Sequence, residues 1–149
     1  MYKKVLVPLD MSELAECALP EVEKLAESGA LGKVILLHVV DIPVAWIPEG
    51  IDIVAVTKSQ MDRAEEYLSD VRSRLAAKGI DVDVEVTEGA VANTIIEYAK
   101  NNDVDLIVIA THGYTGMKRF MFGSVALRVL QDAHIPVLLI RPESTKKKE

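Results

Sequence analysis

Four short runs dense in β-branched and other apolar residues recur along this chain, and they leave little choice of fold. Lys4-Val5-Leu6-Val7-Pro8, Val34-Ile35-Leu36-Leu37-His38-Val39-Val40, Val104-Asp105-Leu106-Ile107-Val108-Ile109-Ala110 and Ile135-Pro136-Val137-Leu138-Leu139-Ile140 have the pattern of strands buried on both faces of a parallel sheet. A fifth run, Ile80-Asp81-Val82-Asp83-Val84-Glu85-Val86, alternates strictly, as an edge strand with one wet face does. Helical patterns lie between the runs, at residues 12–28, about 59–78, 92–101 and 124–133. In the second of these, Met61, Ala64, Leu68, Val71 and Leu75 make one apolar stripe. Five strands alternating with four helices call for right-handed crossovers and predict an α/β domain whose open parallel sheet is covered on both faces. Two features resist the pattern. Pro20 lies inside the first helical stretch, where a bend is expected. Residues 41–57, with Pro43, Pro48 and Gly50, exceed a usual strand-to-helix connection and read as a lid or interface loop. Trp46, the only tryptophan, either meets a ligand or partner there or packs on the domain surface.

If the sheet starts at its middle, grows to one edge through strands two and three, and then returns to the other side, its order is 3-2-1-4-5. Strands one and four then meet where the order reverses, which is where open parallel sheets bind ligands. The walls of that crevice are Pro8-Leu9-Asp10 and Ala110-Thr111-His112-Gly113. After the fourth strand the apolar periodicity stops until Gly123-Ser124 opens a helix with Val125, Leu127, Val129 and Leu130. Small residues let a backbone approach a ligand, and the positive end of a helix dipole favours an anion. Asp10 has two compatible readings. It caps the first helix, with Glu13 at N3 of an approximate capping box, or it contacts a ligand. A carboxylate repels phosphates, so the ligand contact would be to ribose or base. Lys118 and Arg119 either reach a triphosphate or stand as ordinary solvent-facing cations. His112 either touches the ligand or orders its loop.

A length of 149 residues suits one domain, residues 1–142, followed by a solvated, basic tail at 143–149 containing Lys146-Lys147-Lys148. The net charge of −6 argues against nucleic acid, whose phosphates need clustered Lys and Arg. No run approaches the ~20 apolar residues of a membrane span. The single cysteine, Cys17, supplies no disulfide framework and reads as a small buried helix residue. A cytoplasmic location is expected. There is no Gly-x-x-x-x-Gly-Lys-[Ser/Thr], no Gly-x-Gly-x-x-Gly after the first strand and no Gly-x-Ser-x-Gly. His38, His112 and His134 share no metal-ligand spacing, and Ser124 has no evident base.

The opening Tyr2-Lys3-Lys4-Val5-Leu6-Val7-Pro8-Leu9-Asp10, the Leu36-Leu37-His38-Val39 strand, Asp105-Leu106-Ile107-Val108-Ile109 with its loop, and Pro136-Val137-Leu138-Leu139-Ile140 resemble the universal stress protein family over essentially the whole chain. The nucleotide-binding branch carries Gly, two residues, Gly, nine residues, then Gly with Ser or Thr. Here Gly113, residues 114–122 and Gly123-Ser124 match, while the first position is Ala110, whose methyl group would narrow the pocket. The resemblance implies a Rossmann-like, adenine nucleotide alpha-hydrolase-like fold. It implies that Pro8, Leu9 and Asp10 line the base and ribose side, that Val39 offers backbone contacts to adenine, and that Gly113, Gly123, Ser124 and Val125 hold phosphates. ATP, or ADP or AMP, with Mg²⁺ or Mn²⁺, is the implied ligand. A homodimer through the last strand, 135–140, is the implied assembly, read by an unidentified protein partner. Two rivals stay open: a slow ATPase or autokinase that phosphorylates Ser124 or Thr115, and a nucleotide-free interaction module.

Overall fold

The computed structural model describes residues 1–43, 45, 47–112 and 123–142. These form β1 (Tyr2–Pro8), a 3₁₀ turn (Ala15–Ala18), α1 (Leu19–Glu27), β2 (Leu31–Val40), α2 (Ile53–Ala76), β3 (Asp81–Glu88), α3 (Val91–Asn101), β4 (Leu106–Ala110), α4 (Ser124–Asp132) and β5 (Val137–Ile140). All four strand pairs are parallel, in the order β3-β2-β1-β4-β5. This is the expected Rossmann-like arrangement, with the reversal between β1 and β4.

Period-two alternation along the inner strands sorts their side chains onto two cores. Val5, Val7, Val34, Leu36, Leu106 and Val108 pack with Leu19 and Val22 of α1 and Leu68, Val71 and Leu75 of α2. Leu6, Ile35, Leu37, Val39, Ile107 and Ile109 face the other way, onto Ile95 and Ala99 of α3 and Val129 of α4. The outer strand β3 keeps Asp81, Asp83 and Glu85 exposed, and Lys33 on neighbouring β2 bonds Asp83 at 3.0 Å. The start of β4 is stitched to β1 by Asp105, whose carboxylate accepts from the backbone N–H of Lys3 at 2.6 Å and of Lys4 at 3.1 Å.

Three expectations need correction. Pro20 does not bend a continuous helix. The stretch breaks into the 3₁₀ turn and α1, with Pro20 in the first turn of α1, where its missing N–H has no intrahelical partner to lose. Cys17 accordingly sits in the 3₁₀ turn, half-buried, with its Sγ 3.7 Å from the Ile140 carbonyl; burial pushes its thiol pKa up. Lastly, α2 starts at residue 53 instead of about 59. The Asp52 carboxylate accepts from the N–H groups of Val54 at 3.0 Å and Ala55 at 3.3 Å, so the cap shortens the preceding connection to residues 41–52. At the other end the chain turns off α2 through Gly79 at φ +85°, a conformation that costs glycine nothing. Trp46 lies outside the described residues.

Candidate functional site

The first wall of the crevice grows from the end of β1. Pro8 and Leu9 are buried, and the Leu9 N–H extends the parallel ladder by donating to the Leu37 carbonyl at 2.9 Å. The Leu9 carbonyl is 2.8 Å from Nδ1 of His38. The chain then turns sharply: Met11 has φ +70°, and Oδ1 of Asp10 accepts from the N–H of Ser12 at 3.0 Å and from its hydroxyl at 2.5 Å. The Ser12 hydroxyl oxygen accepts in turn from the Ala15 N–H at 3.1 Å. Asp10 therefore organises the turn ahead of the helical residues, and no capping box with Glu13 forms. The residue that precedes the 3₁₀ turn as its N-cap is Leu14, without a side-chain bond.

The second wall continues β4. Ala110, Thr111 and His112 are all buried. The Thr111 N–H donates to the Ile140 carbonyl at 2.9 Å, which ties this wall to β5. Its hydroxyl is 3.0 Å from Nδ1 of His112, the next residue along this wall. The Gly123 N–H returns to the Thr111 carbonyl at 2.6 Å, so residues 111 and 123 are held together at the base of the connection. A Cβ on Gly123 would lie 3.2 Å from that same carbonyl oxygen. Gly123 is also the N-cap of α4 and, lacking a side chain, makes no side-chain capping bond to the first-turn N–H groups.

Between the walls lies a cavity of about 230 Å³. Pro8, Leu9, Asp10, Val39, Ala110, Gly123, Ser124 and Val125 all line it. Residues separated by more than a hundred positions in sequence are thus brought together. Gly113, Thr115, Lys118 and Arg119 lie outside the described residues, as does the tail at 143–149. Thr111 and His112 line the cavity as the sequence-defined wall requires, whereas sequence reasoning missed its apolar floor, formed by Ala15, Leu37, Val91, Ile95, Ile109 and Ala126, and it missed His38 as a lining group. His38 carried a readable signal, the one polar residue near the end of an otherwise apolar strand. The floor carried none, because its residues differ in no way from other core residues until the elements pack. His134 is exposed and does not line the cavity.

Comparison with known proteins follows the same outline. A family model described as the universal stress protein family matches residues 1–141. The universal stress protein MJ0531 of Methanocaldococcus jannaschii is 34% identical over 143 residues, covering 95% of this chain and 83% of that protein. The solved structure of MJ0577 from the same organism superposes with a TM-score of 0.82 at 30% identity, covering 97% of this chain and 99% of that one. An Arabidopsis thaliana universal stress protein family protein solved with AMP bound shares the fold, with a TM-score of 0.71 at 18% identity over 99% of this chain and 96% of that one.

Proposed function

The chain belongs to the universal stress protein family, and from that premise we propose that the cavity between β1 and β4 holds an adenine nucleotide as part of a regulatory stress-response module. One observation carries the reading: the Asp10 turn, the end of β2 at Val39 and the glycine N-cap of α4 converge on a single cavity. The apolar floor suits a purine base. Asp10, whose charge would repel phosphates, suits a ribose hydroxyl or the base. The N–H groups of Ser124 and Val125, at the positive end of the α4 dipole, suit phosphates, and Gly113 would complete that cradle. At about 230 Å³ the cavity is smaller than the ~300–1,000 Å³ of a drug-sized site. It therefore suits base and ribose, with the phosphates over the start of α4. Ala110, buried in the wall, narrows it by one methyl group. AMP in the Arabidopsis protein of the same fold is consistent with this chemistry, and the proposal extends it to ATP and ADP. Mg²⁺ or Mn²⁺ would be carried chiefly by the phosphates, since such ions keep several waters and take few protein ligands. The same reading puts a homodimer on the last strand, residues 135–140, which would present the nucleotide state to a protein partner in the cytoplasm.

Calorimetric titration of nucleotide-stripped protein with ATP and then AMP, each with and without Mg²⁺, tests the proposal. Saturable binding is expected. Gly123→Val should weaken it about tenfold or more, because its Cβ would meet the Thr111 carbonyl at 3.2 Å and the start of α4 must shift to relieve the contact. No heat at millimolar ATP removes the reading. ADP or phosphoserine accumulating during incubation with MgATP replaces binding with turnover.

A further inference from the structure

His38, third from the end of β2, is half-buried and lines the cavity. Its Nδ1 is 2.8 Å from the Leu9 carbonyl oxygen. A carbonyl only accepts, so Nδ1 bears the proton and the imidazole donates. The Leu9 N–H is meanwhile held by the Leu37 carbonyl at 2.9 Å, so β2 grips both polar groups of the first residue beyond β1. The very next stretch is the costly one. Met11 stands at φ +70°, the left-handed region that residues with a Cβ rarely adopt and keep only when their surroundings impose it. Core packing does not require this clamp, because β1 is already paired with β2 from Tyr2 to Pro8.

We propose that His38 is a positioning residue for the cavity. By donating to the Leu9 carbonyl it fixes the chain where it enters the left-handed turn at Met11 and, together with the Asp10–Ser12 bonds, holds the Asp10 carboxylate in place before any ligand arrives. The proposal rests on the nucleotide reading above. When the donor is removed, the turn relaxes, Asp10 samples several positions, and the ligand must order the turn as it binds, at a cost in affinity.

Two variants and two measurements separate the possibilities. His38→Leu keeps comparable bulk without a donor, and His38→Asn keeps an N–H donor close to the position of Nδ1. Amide hydrogen exchange is followed at Ser12 and Ala15, the two amides bonded inside the turn, and ATP affinity by titration. In His38→Leu, exchange at these amides should quicken about tenfold and ATP affinity should fall about tenfold. His38→Asn should restore most of both, and exchange at Val5 and Leu36 should stay unchanged in either variant. Unchanged exchange at Ser12 and Ala15 in His38→Leu overturns the proposal. Faster exchange with unchanged affinity also overturns it, since the clamp would then shape the turn without serving the ligand. If the wild-type protein takes up no adenine nucleotide, the functional reading falls on that result alone, and the exchange measurement by itself decides whether His38 holds the turn.

Discussion

The Tyr67 hydroxyl of α2 donates to the Glu16 carboxylate of the 3₁₀ turn, and Arg74 donates to the other oxygen of that carboxylate at 3.1 Å. Burial first, and then the hydrogen bond and charge of Glu16, hold the phenol proton well above the usual tyrosine range. Tyr98 is raised too, by burial and by Glu85 and Asp83. In the unfolded chain both phenols ionise near their ordinary ~10. Above that pH the unfolded state binds fewer protons than the native one, so stability falls as pH rises. Melting temperature measured from about pH 9 to 11 should therefore drop less steeply in Tyr67→Phe than in wild type, with the Tyr98 share of the slope remaining. Identical slopes would show that the Tyr67 phenol titrates alike in the folded and unfolded chains. None of this was legible in sequence: residues 16 and 67 lie 51 positions apart, and a tyrosine on the stripe side of a helix looks like any other packing residue.

At the scale of the element, α2 shows which signals a sequence carries well. Of the predicted stripe, Ala64, Leu68, Val71 and Leu75 are buried as their spacing requires and Met61 is half-buried, because only one face of a helix can meet a sheet. Leu68 has no exposed surface, and Leu68→Ala should cost about 2–5 kcal/mol in chemical denaturation. Val54, in the first turn of the same helix and 74% exposed, should tolerate alanine within about 0.5 kcal/mol. Equal losses at the two positions would contradict the observed burial. The helix start was misjudged because Ile53 to Val56 forms an apolar run with no polar face, so the amphipathic pattern becomes readable only further along the chain. The Asp52 carboxylate settles the start by satisfying two N–H groups that otherwise have no helical partner. Pro20 carries a similar lesson. A proline marks a place where a regular helix cannot continue, but whether the chain bends there or restarts depends on what packs against it.

For the molecule as a whole, β5 is the decisive edge. Its four residues are apolar and only half-buried, and the nearby α4 leaves Leu127 and Leu130 exposed by 41% and 42%. A bare apolar edge invites pairing with another chain, so the proposed homodimer has a specific test in sedimentation equilibrium. Wild type should sediment as a dimer and Leu138→Lys as a monomer, since a charge in the middle of the edge resists burial. A dimeric Leu138→Lys protein would move the interface elsewhere. By itself the sequence determined the alternation of strand and helix, the edge character of β3 and the position of the two loops at the β1/β4 reversal. These follow from periodicity, crossover handedness and glycine chemistry, all of which act over short stretches of chain. Only the tertiary structure decided the apolar floor of the cavity, the clamp of His38 on Leu9, the left-handed turn at Met11 and the return of Gly123 onto Thr111. Each of these depends on groups that meet only when β1, β2, β4 and their helices are packed, and a hydrogen bond or contact between them leaves no periodic trace along the chain.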